Sequence, residues 1–580
     1  MQSRPSSSRT SLLALLALTA LTLLARLLGA GSGLPHLAEP DNAFLLQPKL
    51  IADGGAAAHR HADYTKYPHL VSRILMALPA PKASGPALDD HLERASSESL
   101  RPRLLIAIAG VACVPTLFLL AREFLSAGWS LFAAALLATS LLHGLFSAQG
   151  RPHVLVTLFI TLTLWACVRL VRRGSWSDYA VAGIFAALSV GSLHNGIAAL
   201  LPLAAAHAIR SRGQGIRGQL KLALPALLVA ASAIAFLPFL FESAKVAPIG
   251  VQEEQSIFRL GCHAFHLDKI HGRGFGVIGW TLWSYEPALL GLLALALPFL
   301  LMGAARLRGL APELRASVIV VASFVLPYLI VVGLYDASYE RFVIPMLPCL
   351  ALIAAWGLSS LLHGIPSGSS RIAASSLLAL GVLAFPVWSS IKLVRLLSSP
   401  DTATLAARWL SANADPRAET ILMTPRLDLP LVHDPSVPLP FTAEELRVGA
   451  WIYPWTYYQL GLGPQSGLAP AWRMGWLPTL DPGFAEKLRQ DENKALLDLD
   501  WTLIAEGSFA DSSELPGNQQ RIKAALGAIA NRVASFVPYE EQGNPRALWW
   551  QESSGIERPF WQRLLAASSF GPAIQVYRRR

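Results

Sequence analysis

Long apolar runs recur along this chain, and they constrain its fold more than any other feature. A helix needs about 20 predominantly apolar residues to cross a bilayer core. Runs of that kind fall near 11–30, 103–121, 126–146, 153–170, 177–193, 195–209, 219–241, 284–304, 316–334, 342–362 and 372–393. They predict about eleven membrane spans. The runs 177–193 and 195–209 are short and meet at His194-Asn195-Gly196, which predicts a bent or re-entrant pair. Only 15% of the 580 residues are charged, against roughly 25% in a soluble domain.

The net charge of +10 does not point to nucleic acid, because the basic residues sit in short loops between apolar runs. Arg169, Arg172 and Arg173 form one cluster, Arg210, Arg212, Arg217 and Lys221 a second, and Arg306, Arg308 and Arg315 a third. Alternating the spans from a cytoplasmic N-terminus puts all three inside, where such residues are favoured. The loops 31–102, 242–283 and 335–341 then fall outside, as does everything after the last run. Arg4 and Arg9 precede the run 11–30, which is too long for a signal-peptide core and reads as an uncleaved span. The cysteines Cys113, Cys167, Cys262 and Cys349 have neither zinc nor disulfide-framework spacing and read as small buried residues.

Beyond residue 400 the character changes. Pro, Asp, Glu and Trp rise, and no apolar run reaches spanning length. Thr420–Met423 and Trp501–Ala505 alternate as strands do, while Asp401–Asn413 and Gln519–Phe536 read as helices. The expected architecture is a mainly α-helical polytopic membrane protein, with residues 1–399 in and around the bilayer and 400–580 a soluble α/β domain on the outer face.

The candidate chemical residues gather on that face. Glu39 and Asp41 follow the first run, where a carboxylate can act as a general base. In Lys66-Tyr67-Pro68, proline holds Tyr67 extended, and Lys66 offers a point charge to a phosphate. Arg341 enters a run from the outer side beside Tyr339, a position suited to a lipid phosphate. Arg151 opens another run in the same way. His194, Asn195, His266 and Glu286 are candidates to line a cavity, with Glu286 also readable as a helix N-terminal charge. His59-x-His61 with Asp63 is only a weak metal pattern, so no cofactor is assigned, a divalent metal is unsupported and the metal requirement stays open. Trp451–Tyr458 suits either sugar stacking or an aromatic interface.

Taken together these residues resemble the GT-C glycosyltransferases, in the branch of protein O-mannosyltransferases and lipid A aminoarabinose transferases. The resemblance spans roughly residues 10–415. The family's acidic pair in the first outer loop corresponds to Asp41-Asn42, so the second acid is replaced by Asn42. Its Tyr-Pro-Pro-Leu turn corresponds to Tyr67-Pro68-His69-Leu70. Its Arg-Tyr-x-x-Pro-x-x-Pro opening corresponds to Arg341-Phe342-Val343-Ile344-Pro345-Met346-Leu347-Pro348, and its early Arg with a nearby Asp to Arg151 with His153. Asp401–Ala406 with Trp409-Leu410 also looks like these proteins. The Trp-Trp-Asp signature of oligosaccharyltransferases is absent, since Gln551 follows Trp549-Trp550.

The resemblance implies a membrane glycosyltransferase, moving a sugar with inversion from a polyprenyl-phosphate donor to a glycan, lipid or protein acceptor. Asp41 would be the base, with Glu39 as the substitute second acid, and Lys66, Tyr67, Arg151, Tyr339 and Arg341 would hold the donor phosphate. A bacterial-type inner or plasma membrane is the expected location. Two other classes share the many spans. One is a transporter or flippase of a lipid-linked or anionic substrate, disfavoured because neither internal repeats nor mid-membrane charges are seen. The other is a non-catalytic assembly protein of the same fold, suggested by Asn42 and His153.

Overall fold

The computed structural model describes residues 9–37, 71, 74–75, 78–79, 85–218, 220–221, 223–224, 226, 257–260, 263–305, 309–362, 369–424, 427–437, 454–462, 467–476, 500–506, 526–527, 529–549 and 558–580. The molecule is mostly helical. Its helices are α1 (Arg9–Ala30), α2 (Leu88–Ala121), α3 (Ala127–Ala138), α4 (Leu141–Ser147), α5 (His153–Arg173), α6 (Trp176–Ser192), α7 (Leu200–Arg210), α8 (Arg273–Tyr285), α9 (Pro287–Ala305), α10 (Pro312–Leu334), α11 (Leu347–Leu361), α12 (Ser369–Leu397), α13 (Thr402–Asn413), α14 (Pro454–Leu462) and α15 (Phe560–Ala566).

Among the described residues six helices are long and apolar enough to cross a bilayer, and two bent pairs raise the number to eight. The pairs are α3 with α4, bent by 58°, and α8 with α9, bent by 118°. This is an integral membrane protein, but the count is lower than the eleven expected. Helices α6, with 17 residues, and α7, with 11, are too short to span alone. A 3₁₀ segment, His194–Ala199, separates them. Most of the run 219–241 lies outside the described residues.

Local chemistry sets the boundaries that matter. Helix α5 starts directly after Pro152 and ends at Gly174, whose φ of +69° suits a residue without Cβ and whose amide donates to the Leu170 carbonyl at 2.8 Å. Ser175 caps α6 by accepting from the Asp178 amide at 3.1 Å. The α3–α4 bend is held by Ser390, whose hydroxyl donates to the Thr139 carbonyl at 2.6 Å. At the end of the bundle away from the sheet, Arg172 pairs with Glu123 at 2.7 Å and donates to Ser317 at 3.1 Å.

The C-terminal region carries a six-stranded sheet in the order β4-β5-β3-β6-β10-β7. Its strands are β3 (Thr420–Met423), β4 (Val432–His433), β5 (Ala471–Trp476), β6 (Trp501–Glu506), β7 (Ala530–Phe536) and β10 (Ala573–Arg579), while β1 (Ile257–Leu260) pairs with β2 (His263–His266) and β8 (Tyr539–Glu541) with β9 (Asn544–Arg546) outside it. Strands β4, β5, β3 and β6 run parallel, and β10 pairs antiparallel with both β6 and β7. The strands at 420–423 and 501–506 and the helix at 402–413 fall where the sequence places them. The expected helix over 519–536 does not hold at its end, because 530–536 is β7. Pairing with β10 over that length outweighs local helix preference.

This region is fastened to one end of the helix bundle. His91 of α2 meets the Tyr458 hydroxyl of α14 at 3.1 Å, and the Phe560 amide of α15 donates to Ser284 of α8 at 2.6 Å. The Tyr285 ring stacks on Phe560 at 4.7 Å.

Candidate functional site

At that same end, two arginines and a histidine are threaded onto aromatic rings. Phe146 lies in the last turn of α4, Arg151 in the turn that follows, and His153 is the first residue of α5. The Arg151 guanidinium sits 5.5 Å from the Phe146 ring centre, and Phe146 meets His153 edge-on at 6.1 Å. His153 stacks on Phe342 at 6.4 Å. Phe342 belongs to the 3₁₀ segment Glu340–Met346, and its ring lies 5.5 Å from the Arg341 guanidinium, which also covers Tyr339 at 4.2 Å. Arg151 and His153 are buried. A cation over a ring face is attracted by the ring's electron-rich face.

Beside this row lies a cavity of about 660 Å³. His194, Asn195, His266, Tyr328, Tyr335 and Phe342 supply its aromatic and polar wall; the rest is Ile, Leu, Val, Ala and Pro, with Ser338 the only other hydroxyl. Asn195 donates to the Tyr328 hydroxyl at 2.9 Å. Phe342 belongs to both the cation row and the cavity, so the two are contiguous. One wall is a loop laid across the end of α10. Asp336 accepts from the His271 ring at 2.7 Å, from the His271 amide at 3.2 Å and from the Arg273 amide at 3.1 Å. Slight desolvation opposes these contacts, but they prevail and hold the Asp336 carboxyl below its ordinary range.

Glu286 is not among the residues lining that cavity. Its carboxylate accepts from the Ser140 hydroxyl at 2.6 Å and from the Leu142 amide at 2.9 Å, so it satisfies the exposed amides that begin α4. Its neighbour Tyr285 donates to Glu340 at 3.2 Å, which fixes the residue preceding Arg341. The aromatic stretch turns to packing: the buried Trp455 indole donates to the Leu431 carbonyl at 2.7 Å, and Tyr458 contacts α2. Residues 451–453 lie outside the described residues, as do Glu39, Asp41, Asn42, Lys66 and Tyr67 and the sparse histidines at 59 and 61. Cys113, Cys167 and Cys349 are free and buried.

Two residues passed over in the sequence, Arg103 and His36, organise this end of the molecule. Arg103 of α2 is fully buried and donates to the carbonyls of Ala30 at 3.1 Å, Ser32 at 2.7 Å and Leu37 at 3.1 Å. His36 reaches Asp401, the N-cap of α13, at 3.1 Å. An arginine opening an apolar run was the available signal for Arg103; an isolated His36 carried none.

Residues 95–241 match the family model described as dolichyl-phosphate-mannose-protein mannosyltransferase. The match covers less than half of the chain. It contains Arg151, His153, His194 and Asn195, and it agrees with the GT-C resemblance of the sequence. No curated protein matches the chain. Among solved structures the chain is similar to ArnT from Cupriavidus metallidurans bound to undecaprenyl phosphate, at 12% identity and a TM-score of 0.38, covering 98% of each chain. It is also similar to the oligosaccharyltransferase AglB from Archaeoglobus fulgidus in complex with an inhibitory peptide and a dolichol-phosphate. There the identity is 13% and the TM-score 0.43, covering 91% of this chain and 73% of that one.

Proposed function

We propose that this chain is a membrane glycosyltransferase that takes a sugar from a polyprenyl-phosphate donor and transfers it, with inversion, to an acceptor at the face of the bundle that carries the sheet. The observation that carries this reading is the contiguity of Arg151, His153 and Arg341 with the apolar cavity through Phe342. A phosphate needs fixed cations and an isoprenoid tail needs an apolar slot, and here the two adjoin. The family match over residues 95–241 supports the same donor class.

In this reading the acceptor hydroxyl gives its proton to Asp41 as its oxygen attacks the anomeric carbon. The bond from that carbon to the phosphate oxygen breaks, and the electron pair leaves with the phosphate. Arg151 and Arg341, with Lys66, Tyr67 and Tyr339, stabilise the charge that grows there. Glu39 takes the role of the second acid. The membrane part runs over residues 1–399 and the soluble part over 400–580, with the N-terminus cytoplasmic and the soluble part outside. The acceptor is a glycan, a lipid or a protein.

The test is sugar transfer by purified protein in lipid, from polyprenyl-phosphate mannose, glucose and aminoarabinose, with Asp41→Asn alongside. Transfer that disappears in the variant is the expected result. Retention of more than about a tenth of the rate contradicts the role of Asp41, because removing a general base costs 10²–10⁴-fold.

A further inference from the structure

The end of the bundle away from the sheet carries a patch of positive charge that the sequence divides between two loops. Arg169 and Arg172 of α5 are matched there by Asp178 at 3.6 Å and Glu123 at 2.7 Å. Glu313, the remaining described acid at this end, begins α10, with Arg315 on the same turn. Arg173, Arg210, Arg212, Arg217 and Lys221 are exposed, and none has a carboxylate partner among the described residues. Glycine contacts show how the fold gathers them. Gly174 follows α5 without a Cβ, and one added there would collide with the Arg210 guanidinium, so Arg210 lies against the end of α5 next to Arg173. Tyr179 of α6 meets the His207 ring of α7 at 3.1 Å, which ties the same ends together. The described residues of 216–226 are helical, and a Cβ on Gly183 of α6 would come within 2.8 Å of the Ala226 Cα, so this helix packs on α6. Both helices leave the same end, and counting back from that contact at about 1.5 Å per residue brings Lys221 to nearly the level of Trp176.

Beside the charge stand apolar side chains left exposed among the described residues. Trp176 is 67% exposed and Ile216 77%, and Leu220 and Leu224 follow Ile216 at the helical spacing that puts them on one exposed face. Arg217 and Lys221 adjoin that face one residue on. Cations next to an apolar, tryptophan-marked face match the headgroup level of a bilayer, where the ends of spanning helices lie. We propose that Arg173, Arg210, Arg212, Arg217 and Lys221 form a docking site for the headgroups of anionic phospholipids in the leaflet away from the sheet. Charge complementarity selects this partner. A phosphodiester with net negative charge gains from every cation, at about fivefold in affinity for each. A zwitterionic headgroup carries its own ammonium group, which the same cations repel. The arginines also offer the paired donors that suit phosphate oxygens. This site is independent of the donor reading, which concerns the opposite end of the bundle.

The experiment is binding of short-chain phosphatidylglycerol, short-chain phosphatidylcholine and inorganic phosphate to the purified full chain in a non-ionic detergent. Phosphatidylglycerol is expected to bind about tenfold or more tighter than phosphatidylcholine, by a margin that shrinks as salt rises. Arg210→Gln, Arg212→Gln and Arg217→Gln together should cut phosphatidylglycerol affinity by about tenfold or more. They should leave phosphatidylcholine affinity and the melting temperature unchanged, and lysine at the same three positions should keep the preference. Arg408→Gln, Arg473→Gln and Arg532→Gln, at exposed arginines of the sheet-bearing region, remove the same charge elsewhere and should also keep it. Equal loss in the two glutamine triples would trace the preference to net charge and overturn the site. A wild type that binds both lipids alike, or whose preference ignores salt, overturns it without any variant, so a misfolded triple leaves the test standing. Inorganic phosphate that displaces phosphatidylglycerol at equal concentration would assign the patch to a free anion, which is a negative result for a lipid site.

Discussion

The His36 ring nitrogen Nε2 lies 3.1 Å from Asp401 Oδ1, and this contact joins the turn after the first helix to the start of the sheet-bearing region across 365 positions of sequence. Both side chains are buried. Asp401 also caps α13, accepting from the Thr404 amide at 2.9 Å and from the Thr404 hydroxyl at 2.6 Å. Asp401→Ala removes the cap and the histidine's partner together and should destabilise the protein by about 1–3 kcal/mol. Asp401→Asn keeps an acceptor oxygen and should cost less. Thermal unfolding followed by tryptophan fluorescence reads both; an Asp401→Ala midpoint equal to wild type refutes the prediction.

Arg103 holds the same turn from the membrane side through three backbone carbonyls. Arg103→Ala leaves those carbonyls without their donor in a buried place, at a cost of about 3 kcal/mol. Arg103→Lys restores charge but not the planar fork, so it should recover only part of the loss in the same unfolding assay. Full recovery would show that charge alone matters.

Gly274 allows α8 to cross the end of α10. A Cβ there would collide with the Val332 carbonyl oxygen and press on that of Tyr335, and both residues line the cavity. Gly274→Ala should cost about 1–3 kcal/mol of stability and weaken polyprenyl-phosphate binding. Gly276, where a Cβ meets nothing within 4 Å, is the control, and Gly276→Ala should leave both unchanged. Equal behaviour of the two variants would count against the close crossing.

Asp428 provides a pH signature in the sheet region. Burial pushes its carboxyl up to about 6, against hydrogen bonds from the Thr456 hydroxyl and the Trp455 and Thr456 amides and the nearby His36. The folded value lies above the ordinary 3.8, so the folded state holds a proton that the unfolded state releases. The associated stability is fully present below about 4 and is lost as pH rises through about 6. Asp428→Asn should flatten the stability profile across that window in unfolding measurements from pH 4 to 7; an unchanged slope would assign the dependence elsewhere.

Much of this was legible in the sequence because one force dominates it. Apolar length marks spans directly, so α1, α5, α10 and α12 fall close to the runs that foretold them. Breaks inside runs are harder to see. Length alone does not show the bend between α3 and α4, which depends on Ser140, Glu286 and Ser390 meeting from distant parts of the chain, whereas the short run 195–209 and its break at His194 did announce the short α7. Arg151 and Arg341 stood out as charges at the edges of apolar runs. Their bridge did not, since nothing in the sequence shows that Phe146, His153 and Phe342 come together. Glu286 read two ways in the sequence, as a cavity wall and as a helix N-terminal charge, and in the fold it accepts from Ser140 and Leu142 at the start of α4. The β7 segment read as helix because its partner β10 lies about forty residues away in sequence and contributes no local signal.

The most direct test of the account is the sugar-transfer rate from a polyprenyl-phosphate donor, measured for wild type, Arg151→Gln and Arg341→Gln in lipid. The account predicts turnover by wild type and a loss of about 10²-fold or more in kcat/KM for each variant, as expected when a charge that stabilises the leaving group is removed. Turnover by both variants within twofold of wild type would contradict it, and so would a wild type that transfers from none of the donors.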